Sequence, residues 1–157
     1  MSKFVSDLYI ENTLKNMFAE KLQQYVKGND AWKINWNPNV VFERPDDLYW
    51  MDIFFIANEP YQAELGTDGR NVWTGFMQIN INVPKNDVVS GFDENGIYNE
   101  QSAMNKCYED IAKVFRRGVI YKGVRIVKTS RNTSALQVYD DFCSMPVTIR
   151  WKAYLSN

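Results

Sequence analysis

The side chains that most often perform chemistry are sparse in this sequence. Its 157 residues include no histidine, which removes the commonest general base, the usual activating partner of a nucleophilic serine or cysteine, and the commonest transition-metal ligand. Carboxylates remain as candidate acid–base groups, paired at Asp46-Asp47, Asp93-Glu94 and Asp140-Asp141. Each pair sits beside turn residues or at a strand end, where exposure to water accounts for it. The run Asp93-Glu94-Asn95-Gly96 is not a calcium loop, because its glycine follows the aspartate too closely and no acidic residue closes the loop at the required spacing. Gly66-Thr67-Asp68-Gly69-Arg70 reads as a turn, since no helix follows to offer its N-terminus to a phosphate. Asn132-Thr133-Ser134 fits a glycosylation sequon, but no secretion signal accompanies it. Cys107 and Cys143 lack metal-type spacing and are expected to be two reduced, buried thiols. The expectation is a protein without catalytic residues, metal or cofactor.

Composition points the same way. The chain has the length of one domain, and its 45% hydrophobic content can build one core. Aromatic residues reach 15%, and Trp, Tyr and Phe are the types that anchor interfaces. The 18 basic and 19 acidic residues are mixed along the chain, for a net charge of −1. No block of like charge marks an electrostatic footprint for DNA or a membrane. No apolar run approaches the roughly 20 residues that span a bilayer, and Met1-Ser2-Lys3-Phe4 leads into a polar helical pattern instead of a signal peptide. A soluble chain, cytoplasmic at synthesis, is expected.

The elements follow from periodicity. Ser6 or Asp7 can cap a first helix over about 6–26, with Ile10, Leu14, Met17, Phe18, Leu22 and Tyr25 at helical spacing. A brief strand is expected at Val40-Val41-Phe42, and another from Tyr49 to Ala57, both of whose faces are largely apolar. The Gly66–Gly69 turn separates Tyr61–Leu65 from an alternating strand over Gly75–Val83. There Met77, Ile79, Ile81 and Val83 face one way while Gln78, Asn80 and Asn82 face the other, and Pro84 ends the run. A long polar loop covers about 85–99. A second helix over about 100–117 buries Ala103, Cys107, Ile111, Val114 and Phe115 and stops at Gly118. Beyond it lie a hairpin at Lys122-Gly123, strands over Val124–Lys128 and Leu136–Tyr139, and a terminal strand in which Val147, Ile149, Trp151 and Ala153 alternate with Thr148, Arg150, Lys152 and Tyr154. This order predicts a single α+β domain, a mixed or largely antiparallel β-sheet packed by two amphipathic helices.

From about Trp36 to its end, the sequence resembles the small tail terminator proteins of long-tailed phages, the lambda-type tail-end proteins. The resemblance rests on ordered features. An N-terminal helix is followed by Asn37-Pro38-Asn39-Val40-Val41-Phe42, a strand, and Ala63-Glu64-Leu65-Gly66 with Arg70. Then come the strand Gly75 to Pro84, a glycine-containing loop, an amphipathic helix ending Val114-Phe115-Arg116, and the strand Pro146 to Ala153. The 85–99 loop departs from the family in being longer and less glycine-rich.

The resemblance implies a non-enzymatic virion protein of the tail and neck region, assembled in the host cytoplasm. It would form a homo-hexameric ring that docks on the major tail-tube protein, ends tube polymerisation and presents its other side to head-completion and neck proteins. DNA would pass through the ring without sequence-specific binding, and no membrane is involved. A closed ring needs a heterologous interface in which two different patches of each subunit meet. Candidates for subunit contact or channel lining are Gln78, Asn80 and Asn82, the charged Arg44, Asp46, Asp47, Glu64 and Arg70, and the helix end Arg116 and Arg117. Phe92, Ile97 and Tyr98 in the long loop are candidates for a partner contact, because exposed apolar groups there gain burial on binding. The alternatives are a neighbouring neck, head-tail connector or tail-completion protein, and a small ligand-binding α+β domain, which would need a pocket with convergent polar groups and a perturbed carboxylate.

Overall fold

The computed structural model describes residues 7–22, 34–36, 49–57, 61–62, 71–85, 89 and 99–155. Two helices, α1 (Asp7–Leu22) and α2 (Glu100–Val114), pack against one sheet. Its strands are β1 (Ile34–Asn35), β2 (Trp50–Ala57), β3 (Tyr61–Gln62), β4 (Asn71–Pro84), β5 (Ile120–Tyr121), β6 (Val124–Arg131), β7 (Gln137–Val138) and β8 (Phe142–Leu155). The order across the sheet is β1-β2-β4-β8-β6-β5, with β3 on β4 and β7 on β8. Among the described strands, only β1 and β2 pair in parallel. The expected α+β architecture is therefore present as a mixed, mostly antiparallel sheet with two helices.

The spine is β4 against β8, paired residue for residue from Asn71–Leu155 to Pro84–Phe142. Their inward side chains, Met77, Ile79, Ile81 and Val83 with Met145, Val147, Ile149, Trp151 and Ala153, are buried beneath the helices. Fully burying one such aliphatic side chain is worth roughly 1.5–3 kcal/mol, so this double row is a principal source of stability. Gly75 lies directly opposite Trp151. Without a side chain there, the indole has room to stack on Phe55, the rings 5.6 Å apart and 7° from parallel.

Helix α1 contributes Ile10, Leu14, Met17 and Phe18, spaced three and four residues apart, to the same core. Buried Thr13 satisfies its hydroxyl by donating to the Tyr9 carbonyl at 2.7 Å. Helix α2 opens with a reciprocal capping box: the Asn99 side chain accepts from the Ser102 amide while the Ser102 hydroxyl accepts from the Asn99 amide, each at 2.9 Å. Its buried stripe holds Ala103, Cys107, Ile111 and Val114, and Phe115 meets Phe18 of α1 at 5.5 Å. The helix ends at Val114, short of the expected 117. Phe115 leaves helical geometry at φ −102° and ψ 56°, and the Thr129 hydroxyl donates to its carbonyl at 2.7 Å, satisfying one orphaned end group.

Strand β6 runs to Arg131, beyond the expected Lys128, because β8 offers a partner for each of Thr129, Ser130 and Arg131. Pairing overrides the polarity of these residues. The β5–β6 hairpin turns on Lys122 and Gly123, both at positive φ (48° and 87°), the signature of a two-residue type I′ turn. A register shift between Ile126 and Lys128 bulges Val127 outward. Cys107 and Cys143 are free and buried, as expected. The expected Val40–Phe42 strand, the Gly66–Gly69 turn and most of the 85–99 loop lie outside the described residues.

Candidate functional site

Because the helices cover one face of the sheet, the alternate residues of β2, β4, β6 and β8 form an open outer face. Three zones run along it. At the β8 start, Phe142 packs between Tyr139, at 4.5 Å, and Trp50, at 5.1 Å between ring centroids. The Tyr139 hydroxyl also donates to the Gln137 carboxamide oxygen.

Beside this aromatic end lies a carboxamide zone. Both oxygens of Asp52 are occupied: Oδ1 accepts from Asn35 at 3.1 Å and Oδ2 from Asn82 at 2.9 Å. Gln78 donates to the Asn80 side chain at 2.8 Å. Thus Gln78, Asn80 and Asn82 share the outer face, as their alternation predicts, but they differ in access. Gln78 and Asn80 are half-exposed, whereas Asn82 is buried and its amide serves Asp52 instead of an external partner. A half-open cleft of about 290 Å³ lies over β8, edged by Gln78 and Asn80 on one side and by Asn132 and Gln137 on the other, with Ser144 and Thr148 on its floor. None of its lining side chains is ionisable. It offers neutral donors and acceptors, with no group able to exchange a proton near neutral pH.

The third zone is cationic, and the sequence does not reveal it. Arg125 of β6 stands directly opposite Lys152 of β8, and Lys128 directly opposite Arg150. Like charges so placed are destabilising. Arg117 joins Arg125 and Lys152 around a shallow depression of about 200 Å³, with exposed Arg116 as its chain neighbour. Among the described residues, none of Arg116, Arg117, Arg125, Lys128 and Arg150 is in an ion pair. Dispersed over segments 116–117, 125–128 and 150–152, these cations give no run of like charge; the β6–β8 pairing assembles them. The expected Arg116 and Arg117 belong to this corner, remote from the carboxamide zone.

Among the described residues, exposed apolar side chains gather at two places beside the outer face, apart from the lone Phe54 of β2. Ile120 and the bulged Val127 are 67% and 41% exposed beside the cationic corner. Leu136, Val138 and Tyr139 are 43%, 64% and 44% exposed along β7, next to exposed Asp140 and Asp141. Arg44, Asp46, Asp47, Glu64, Arg70, Phe92, Ile97 and Tyr98 lie outside the described residues.

The titration of Cys143 and of Tyr121 is perturbed. Burial, followed by the nearby Glu100 charge, pushes the Cys143 thiol up, which disfavours the reactive thiolate. The Tyr121 hydroxyl donates to Glu20 at 2.7 Å, and that bond raises its pKa. Among the described residues, no group of three or more acidic or cysteine side chains could hold a metal ion, and no helix is long and apolar enough to cross a membrane.

No protein-family model matches the chain, and no curated protein matches it. A solved structure is similar over 96% of this chain and 96% of its own, with a TM-score of 0.63 and 15% sequence identity. Its description states no function, and at that identity the likeness shows a shared fold alone.

Proposed function

We propose that this chain is a non-enzymatic virion protein of the tail terminator type. Six copies form a ring on the head-proximal end of the phage tail tube, stop tube growth and present a surface for joining to the head. One observation carries the reading beyond sequence resemblance. Among the described residues, the exposed large apolar side chains include two separate groups, Ile120 with Val127 and Leu136 with Val138 and Tyr139, besides the lone Phe54. Through their strand partners, Ile120 is tied to the Lys152 end of β8 and Val138 to Cys143. At about 3.3 Å per residue, those β8 positions are about 30 Å apart. Two distinct patches per subunit are what a head-to-tail ring requires.

The outer face then supplies the ring with a polar wall. Its carboxamide cleft lacks ionisable groups, and this neutral polar lining suits passage of DNA without sequence-specific contact. Its chemistry also argues against a catalytic pocket, which would converge on a perturbed carboxylate or comparable group.

Phage carrying a conditional nonsense mutation in this gene test the reading by electron microscopy of lysates. Overlong tails are expected. Tails of normal length lying unattached to heads would instead assign the chain to the neck.

A further inference from the structure

Resting on the ring reading, we infer which surfaces meet between neighbouring subunits: the cationic corner of one copy, Arg125 and Lys128 with Ile120 and Val127, docks on the β7 corner of the next, Asp140 and Asp141 with Leu136, Val138 and Tyr139. The two corners are complementary in both respects that matter for association. Each offers exposed apolar groups to bury, and their charges are opposite. Within one chain they cannot satisfy each other, because β8 holds them about 30 Å apart. Between copies they can, in a heterologous contact that repeats around a rotation axis.

The internal electrostatics favour this occupant. Lys128 faces Arg150 across the strands, a pairing of like charges that is repulsive in the isolated chain, and among the described residues neither of them nor Arg125 is in an ion pair. An acidic neighbour relieves that repulsion on docking, and the apolar rim keeps the contact from being a screened surface ion pair of little value. A polyanion such as duplex DNA would use the cations but leave Ile120 and Val127 without apolar partners.

A mixing experiment tests the pairing. One variant carries Arg125→Glu and Lys128→Glu, the other Asp140→Lys and Asp141→Lys. The first cancels its corner's charge against Arg117, Arg150 and Lys152, the second reverses the acidic corner, and each leaves its other corner native. Alone, the first variant loses the attraction in every contact and the second places like charges there, so each should assemble at least tenfold more weakly than wild type, measured by mass photometry with and without tail-tube ends. Mixed in equal amounts, the two can alternate around a ring so that every contact is again complementary, and the wild-type mass should return. The first variant should unfold no lower than wild type, because each introduced glutamate replaces a cross-strand pair of like charges with one of opposite charges.

If wild type assembles and either variant alone assembles equally well, or if the mixture fails to recover, the pairing is wrong while the ring stands. A wild type that never assembles overturns both. Ring mass unchanged by Arg125→Glu and Lys128→Glu, with salt-sensitive retention of a mixed-sequence duplex DNA abolished, would assign the corner to phosphate contacts instead.

Discussion

Replacing Asn82 by alanine removes one of the two amides that hold the Asp52 carboxylate. The lost bond is 2.9 Å long, it is charge-assisted, and its donor is buried at 2% exposure. Hydrogen bonds to charged groups contribute roughly 1.5–3 kcal/mol. Water can reach the half-exposed Asp52 and recover part of that, so a loss of about 2 kcal/mol is expected. For a domain of this size that corresponds to a fall of about 4–8 °C in the unfolding midpoint. The assay is urea unfolding of wild type, Asn82→Ala, Asp52→Asn and the double variant. Asp52→Asn keeps the shape but turns one acceptor into a donor, so it breaks one of the two bonds. If Asn82 and Asp52 act together, the double variant should be more stable than the sum of the single losses predicts, by about 1 kcal/mol. A loss below about 0.5 kcal/mol for Asn82→Ala, or a cycle additive within about 0.3 kcal/mol, would refute the reasoning, because neighbours that share a hydrogen bond should couple.

Two further outcomes follow from local geometry. At Gly123, φ is +87° and a Cβ would meet nothing within 4 Å, so Gly123→Ala should cost only backbone strain, about 1–2 kcal/mol in thermal unfolding, with no change of fold. The Cys143 pKa is raised above that of an unfolded thiol, so protonation favours the folded state; this contribution is complete below the unfolded thiol pKa and is lost as pH rises through the folded one. Ellman's reagent at pH 8 should therefore label Cys143 in the native protein far more slowly than in urea, and equal rates would contradict the assigned burial.

Much of the fold is legible in the sequence because its core elements have clean periods. The alternation Met77, Ile79, Ile81, Val83 against Gln78, Asn80, Asn82 sets both the strand and its two faces, and Ile10, Leu14, Met17 and Phe18 mark the buried side of α1. What sequence alone misses depends on partners distant along the chain. Strand β6 extends through Thr129 and Ser130 only because β8 lies alongside. Asn82 reads as a surface amide until Asp52 is brought beside it. The cationic corner is invisible for the same reason: Arg125 and Lys128 meet Lys152 and Arg150 through strand pairing, and Arg117 joins Arg125 and Lys152 around the depression. No periodicity signals the Val127 bulge, which arises where β6 and β8 slip by one residue.

Ring formation is checked by native mass measurement of the chain, alone and mixed with tail-tube protein. A species of six times the 18.4 kDa chain mass is expected, in free solution or seated on tube ends, and it should dissociate as salt is raised. A protein that stays at the mass of one chain under both conditions would contradict it.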